Sequence, residues 1–194
     1  MKKLRKDNGG YALVYVLIVV LVLCAVAVSV CTAALKNYQA QEESVRQTRQ
    51  LYQAEGEIEK FVALAEAVSN VSSRLTVSGT YVSEDAATED AATENAVKNK
   101  AKDEAKTKYE EYLKSLASGY TLTLDTSHSD RESCNFTLTY KNDTVCIETE
   151  ISMALIYDVE MTKTNEVITY TAKVSKATHS YNTYTITHLT AKGG

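Results

Sequence analysis

Residues Tyr11 to Leu35 read YALVYVLIVVLVLCAVAVSVCTAAL, an uncharged and mostly apolar run that follows the basic leader MKKLRKDNGG. About 25 such residues, coiled into one helix, are enough to cross the ~30 Å hydrocarbon core of a bilayer. Lys2, Lys3, Arg5 and Lys6 stand before the run. Their positive excess is retained on the cytoplasmic side, so the N-terminus is expected in the cytoplasm and everything beyond Leu35 outside. The expectation is a cell-membrane protein crossing once, with an extracytoplasmic bulk.

The 194 residues leave room for that anchor and one modest domain. The formal charge of −4 becomes −7 without residues 1–10, because four bases and one acid leave with them. An acidic ectodomain lacks the basic stripe that phosphate-gripping nucleic-acid binding needs. The chain has no Pro and no Trp, while Thr and Tyr crowd its later part, where β-branched and aromatic residues favour strands. Helix is expected first and sheet second, an α+β chain.

The helical pattern does not stop at Leu35. Val45, Leu51, Tyr52, Ile58, Phe61, Val62, Ala65, Val68 and Leu75 recur at spacings of three, four and seven, as one face of a helix requires. Residues 36–78 are therefore expected to continue the apolar helix of residues 11–35 as an amphipathic segment. Gly56 within it predicts a close contact or a gentle bend. Residues 84–95 read EDAATEDAATEN, and the span 79–98 is expected to be an acidic low-complexity loop. Ala101, Ala105, Tyr109, Tyr112, Leu113 and Leu116 mark a second helix over 99–118, with Gly119 at the C′ position favoured for ending it.

From Tyr120 the period becomes two, predicting an antiparallel sheet over 120–194. Leu122 and Leu124 alternate with threonines, as do Phe136, Leu138 and Tyr140, and a long alternation runs from Val145 to Met161. A turn at Lys141 to Thr144 pairs Tyr140 with Val145, Leu138 with Ile147 and Phe136 with Thr149. A second turn at Thr162 to Asn165 pairs Val159 with Ile168, Tyr157 with Tyr170, Leu155 with Ala172 and Met153 with Val174. Tyr184 and Ile186 suggest a last strand. The result is a meander with one apolar face open to a helix.

Four cysteines divide by compartment. Cys24 and Cys31, seven apart, share a face of the apolar helix and act there as small apolar groups. Cys134 shares the buried parity of Phe136, whereas Cys146 lies on the other face and further along the ladder. Their separation exceeds the roughly 4.4 to 6.8 Å between Cα atoms that a bridge allows, so no Cys134 to Cys146 disulfide is expected.

The basic leader ending in Gly10, the apolar helix beginning Tyr11-Ala12-Leu13, the amphipathic continuation and the terminal sheet together resemble type IV pilins and pseudopilins. GGYALVYVLIVVLVL followed by RQLYQAEGEIEKF at residues 49–61 is similar to PilX-type minor pilins. The resemblance covers roughly residues 5–65. It implies that a prepilin peptidase cuts between Gly10 and Tyr11, that Tyr11 becomes a methylated N-terminus, and that the helix passes from membrane to filament core. The implied partners are the membrane, other pilin subunits, the peptidase and the assembly platform. Major pilins carry Glu at the fifth residue after the cut, where this chain has Tyr15. Some minor pilins at filament tips lack that carboxylate too, so the resemblance favours a subunit that primes or caps a filament serving adhesion, motility, secretion or DNA uptake.

Two rival accounts of the first segment are an ordinary single-pass anchor and a cleaved signal peptide, although the run exceeds the usual ~7 to 15 apolar residues of the latter. No enzyme is expected. His128, His179 and His188 are scattered, and no nucleophile elbow, phosphate loop or zinc spacing accompanies them. No cofactor, metal or small-molecule substrate is implied. The competing functional class is a single-pass, membrane-anchored extracytoplasmic binding module unrelated to pili.

Overall fold

The computed structural model describes residues 9–82, 91–126, 130–142, 145–164 and 167–189. The chain forms two compact units, Met1–Arg49 and Gln50–Gly194. One helix, α1 (Gly9–Glu66), supplies the first unit and the opening segment of the second. No Pro or turn cluster interrupts it, as the unbroken periodicity predicts.

In the first unit, the side chains from Leu13 through Leu35 that are apolar and large are all exposed, and the most apolar 18-residue window has a mean hydropathy of 3.2 with none of it buried. This stretch is long and apolar enough to be a candidate membrane span. Its hydroxyls are satisfied within the helix: Ser29 donates to the Ala25 carbonyl at 2.8 Å, and Thr32 donates to that of Val28. Such back-bonding leaves no polar side chain needing water, which is what lipid demands.

In the second unit, α1 ends at Glu66. A 3₁₀ turn (Val68–Val71) and a single helical turn, α2 (Ser72–Leu75), lead into strand β1 (Val77–Val82). The amphipathic helix thus stops well before residue 78, and the sequence expectation of a continuous helix there is corrected. After β1, α3 (Ala91–Leu116) begins eight residues earlier than expected, inside the acidic repeat. Ala and Glu are good helix formers, and Val97 gives that extra length a buried anchor. Residues 83–90 of the expected loop lie outside the described residues.

Four more strands follow: β2 (Thr121–Asp125), β3 (Ser133–Lys141), β4 (Val145–Thr164) and β5 (Val167–Leu189). They form one curled, wholly antiparallel sheet in the order β1-β5-β4-β3-β2. The meander is as expected, but β1, unforeseen, returns to pair with the first part of β5. Gly79 explains why: it faces Tyr170, and a Cβ there would lie 2.3 Å from the Tyr170 Oη. Only glycine lets the Tyr170 ring lie across the strand.

The pairing keeps the predicted faces and changes the offsets. Tyr140 pairs with Ile147, Leu138 with Thr149 and Phe136 with Ile151, two residues from expectation. Asn142 sets this, its N–H donating to the Val145 carbonyl at 3.0 Å and its Oδ1 accepting from the Val145 N–H at 2.7 Å. In the next hairpin Val159 pairs with Ala172, Tyr157 with Val174 and Leu155 with Ala177, because the strands run on to Thr164 and Val167 before turning. The last strand expected at Tyr184 and Ile186 is not separate: together with the stretch from Ser175 to Asn182 it is part of β5, which carries irregularities against β4, one beside Tyr157. There the Ser175 hydroxyl donates to the Ile156 carbonyl at 3.1 Å. Such bulges let two long strands twist together without losing their faces.

The α1 segment and α3 cover one face of the sheet. Ala54, Ile58, Phe61, Val62 and Ala65 of α1 meet Tyr109 and Leu113 of α3 and Phe136, Leu138, Ile147, Ile151 and Met153 of the sheet. Phe61 lies edge-on to Phe136 at 6.0 Å between centroids. A smaller cluster joins Val97, Ala101 and Ala105 to Ile168, Tyr170 and Ala172. Gly56, by contrast, is exposed with nothing within 4 Å of where a Cβ would sit, so of the two expectations there, a close contact or a gentle bend, the close contact is absent.

Gly119 departs slightly from its expected role. It lies three residues beyond Leu116 at φ 93°, inside a turn closed by the Tyr120 N–H on the Ala117 carbonyl at 3.0 Å. The third position of a type II turn requires a positive φ, which is what glycine supplies.

Candidate functional site

The residues singled out for processing and assembly all lie on α1. Gly10 has helical backbone, and Tyr11 and Tyr15 are 76% and 69% exposed. Four residues apart, the two tyrosines share one side of the helix. Within the first unit Tyr38 and Val45 are also exposed, as are Cys24 and Cys31. An apolar helix presenting all its sides is a candidate membrane span by length and composition.

Within the second unit α1 has two characters. Its buried side is Ala54, Ile58, Phe61 and Ala65. Tyr52 is 68% exposed, and two helical residues differ by about 200° in direction, so Tyr52 points away from Ala54. Gly56 and Ala63, at spacings of four and seven, continue that exposed side with small residues. The sequence expectation placed Val45 and Tyr52 on the same apolar face as Ile58; both are exposed instead. The signal was available, since Tyr52 and Ala54 cannot both belong to one narrow stripe.

What fixes α1 to the rest of its unit is a set of hydroxyls that the periodicity argument used only as apolar bulk. The last carbonyls of a helix have no partner within it. Tyr109 donates to the Ala65 carbonyl at 3.0 Å, and Tyr112 to that of Leu64 at 2.8 Å. About two turns earlier, Tyr120 donates to the Glu57 carboxylate at 2.9 Å and lies 3.2 Å from its carbonyl. Burial, aided by the Glu57 hydrogen bond and charge, pushes the Tyr120 phenol up to about 12; burial raises Tyr109 further. Both hydroxyls keep their protons and remain donors.

The final residue of α1 makes the last tie. The Glu66 Oε1 accepts the His179 N–H at 3.0 Å and lies 2.6 Å from His179 Nδ1 on β5. Burial pushes the Glu66 carboxyl up, but the His179 hydrogen bonds and the charges of His179 and Lys176 outweigh it and hold the group below its ordinary value.

The opposite face of the sheet is open. A groove of about 340 Å³ is lined by residues of β2, β3 and β4, with Asp125, Asn135, Thr137, Glu150 and Ser152 beside Phe136 and Ile151. Ser152 donates to the Asn135 Oδ1 at 2.7 Å. Among the described residues, no three of His, Cys, Asp and Glu come together to hold a metal. His128 lies outside the described residues.

Cys134 and Cys146 are not joined, as expected: Cys134 pairs with Met153 and Cys146 with Lys141, at opposite ends of the β3–β4 ladder. Burial raises the Cys134 thiol to about 12, so it stays protonated.

Comparisons with protein-family models, with curated proteins and with solved structures return no match for this chain.

Proposed function

We propose that this chain is a minor pilin or pseudopilin, a non-catalytic subunit that primes or caps a type IV pilus-like filament. One observation carries the proposal. A single helix combines an exposed apolar half with a half that packs on an antiparallel sheet, so one element serves both as a stem and as part of the head's core. A helix that satisfies its own backbone exchanges lipid neighbours for helix neighbours at little cost. In this proposal the N-terminus is cytoplasmic, prepilin peptidase cuts between Gly10 and Tyr11, and the head is extracytoplasmic, with other pilin subunits and the assembly platform as partners.

Tyr15 narrows the role. With no carboxylate at the fifth position of the processed chain, nothing neutralises the N-terminal amine of a neighbouring subunit at that depth. An end of the filament suits such a subunit better than its shaft.

A second proposal, a membrane-anchored binding module, draws on the open groove beside Asp125 and Glu150. The N-terminal residue of the protein recovered from membranes separates the two. An N-methylated Tyr11 supports the pilin assignment, while an intact Met1 to Gly10 segment in a strain with active prepilin peptidase rules it out. Tyr15→Glu is expected to alter incorporation into filaments, read by the amount of subunit in sheared filament fractions.

A further inference from the structure

Tyr11, Tyr15 and Tyr38 are the aromatic residues of the sequence before Leu51, and they stand at the two ends of its uncharged stretch, which runs from Asn8 to Leu35. All three lie on α1 within the first unit, and Tyr11 and Tyr38 are 76% and 66% exposed. Between Tyr15 and Tyr38 the side chains are aliphatic or small, and Ser29 and Thr32 spend their hydroxyls on the helix's own carbonyls. A phenol is apolar in its ring and polar at its tip, so tyrosine gathers where acyl chains meet headgroups, at both faces of a bilayer. Tyr11 and Tyr38 are 27 residues apart, which is about 40 Å of α-helix. A bilayer with its interfacial regions is ~40–45 Å thick.

The two ends oppose displacement in opposite directions. Lys36 and Asn37 are exposed immediately before Tyr38. Sliding the helix one turn toward its N-terminus would draw the Lys36 ammonium and the Asn37 amide into hydrocarbon, where charge and unpaired polar groups are costly. Left in place, the Lys36 stem lies along the apolar border and carries the ammonium out to the headgroups. Sliding one turn the other way would sink the phenols of Tyr11 and Tyr15 among acyl chains and bring Asn8 and Asp7 behind them. Tyr15 is one turn from Tyr11 on the same side of the helix, so both phenols reach one interface. The aliphatic stretch between the ends gives no depth preference of its own.

We propose that these groups hold α1 in a lipid bilayer at one fixed depth, with Tyr11 and Tyr15 in one interface, Lys36 and Tyr38 in the other, and Cys24 and Ala25 at the midplane. The lipid-bound part of the chain then extends three residues past Leu35, and its aqueous part begins at Gln39. Val45, about 10 Å further along the helix than Tyr38, lies clear of the acyl chains. The proposal rests on residues 11–35 being a membrane span; it does not depend on cleavage at Gly10 or on the pilin assignment.

The chain has no Trp, so each single Trp substitution is its own depth probe. The full chain is reconstituted in phosphatidylcholine–phosphatidylglycerol vesicles, one series with the phosphatidylcholine brominated near the headgroup end of its acyl chains and one near their far end. Tyr11→Trp and Tyr38→Trp keep an interfacial aromatic and are each expected to be quenched roughly twofold more by the shallow bromine than by the deep one. Leu23→Trp, close to the midplane, is expected to show the reverse, and Val45→Trp no quenching by either. Deep quenching of Tyr11→Trp or Tyr38→Trp, no quenching of Tyr38→Trp, or quenching of Val45→Trp overturns the fixed depth while Leu23→Trp still reports a span. Leu23→Trp left unquenched in both series overturns the span itself, and the depth with it.

Discussion

The Tyr109 hydroxyl donates to the Ala65 carbonyl at 3.0 Å inside the core, with Tyr109 wholly buried. Removing that hydroxyl leaves a buried carbonyl without its donor. Tyr109→Phe is expected to cost about 1–3 kcal/mol. Tyr112→Phe, one turn along, is expected to cost under about 0.5 kcal/mol, because the Leu64 carbonyl also accepts from the Ala67 N–H at 3.2 Å and Leu64 is exposed. Urea midpoints of the two variants, compared with the parent, check the ranking.

Glu66 gives the head a pH dependence whose sign is fixed. Its folded value lies below the 4.5 of the free side chain, so its contribution is fully present above that pH and is lost as pH falls through the folded value. Glu66→Gln is expected to flatten the acid side of the stability profile below about pH 5. At neutral pH it costs about 0.5–1 kcal/mol, a figure kept small because both side chains still meet solvent. Thermal midpoints measured from pH 3 to pH 7 decide it; parallel profiles for parent and variant refute the assignment.

At Gly79 the Tyr170 ring occupies the space a side chain needs, and the Tyr170 hydroxyl is held by Glu104 at 2.8 Å. The ring cannot swing aside without losing that bond. Gly79→Ala is expected to destabilise by about 1–3 kcal/mol. Combined with Tyr170→Ala the two changes are expected to be less costly than their sum, since the clash disappears. A double-mutant cycle on unfolding free energies measures the coupling.

Thr149 is the one buried polar side chain in the core whose Oγ1 has no partner among the described residues. Valine has nearly the same shape and no hydroxyl to desolvate. Thr149→Val is expected to raise stability by about 1 kcal/mol, seen as a higher melting temperature. A lower one would show that the hydroxyl is satisfied.

These residues also show where sequence patterns carry and where they stop. Alternation from Val145 to Met161 settled which side chains face the helices, because parity survives any even shift of register. It did not settle the shift, which depends on where Asn142 turns and on how far β4 and β5 run before theirs. The purpose of Gly79 lies 91 residues away in Tyr170, beyond any local signal. Tyr109, Tyr112 and Tyr120 were legible as apolar bulk but not as donors, since nothing in a helix's own sequence says which distant hydroxyl will meet its last carbonyls. Tyr11 and Tyr15 were placed correctly on one exposed helix, whereas Val45 and Tyr52 were assigned to the wrong side of it.

The pairing of Val77 with Ala172 has a consequence for the order of events during synthesis. β1 is made early and its neighbour in the sheet is made nearly last, so the first strand to emerge is the one that waits longest. Until residues 167–172 arrive, β1 has no ladder, and until His179 arrives Glu66 at the end of α1 lacks its hydrogen bond to the sheet. Assembly of the head is therefore timed by its far end, and a nascent chain halted short of β5 holds a finished stem on an unfinished head.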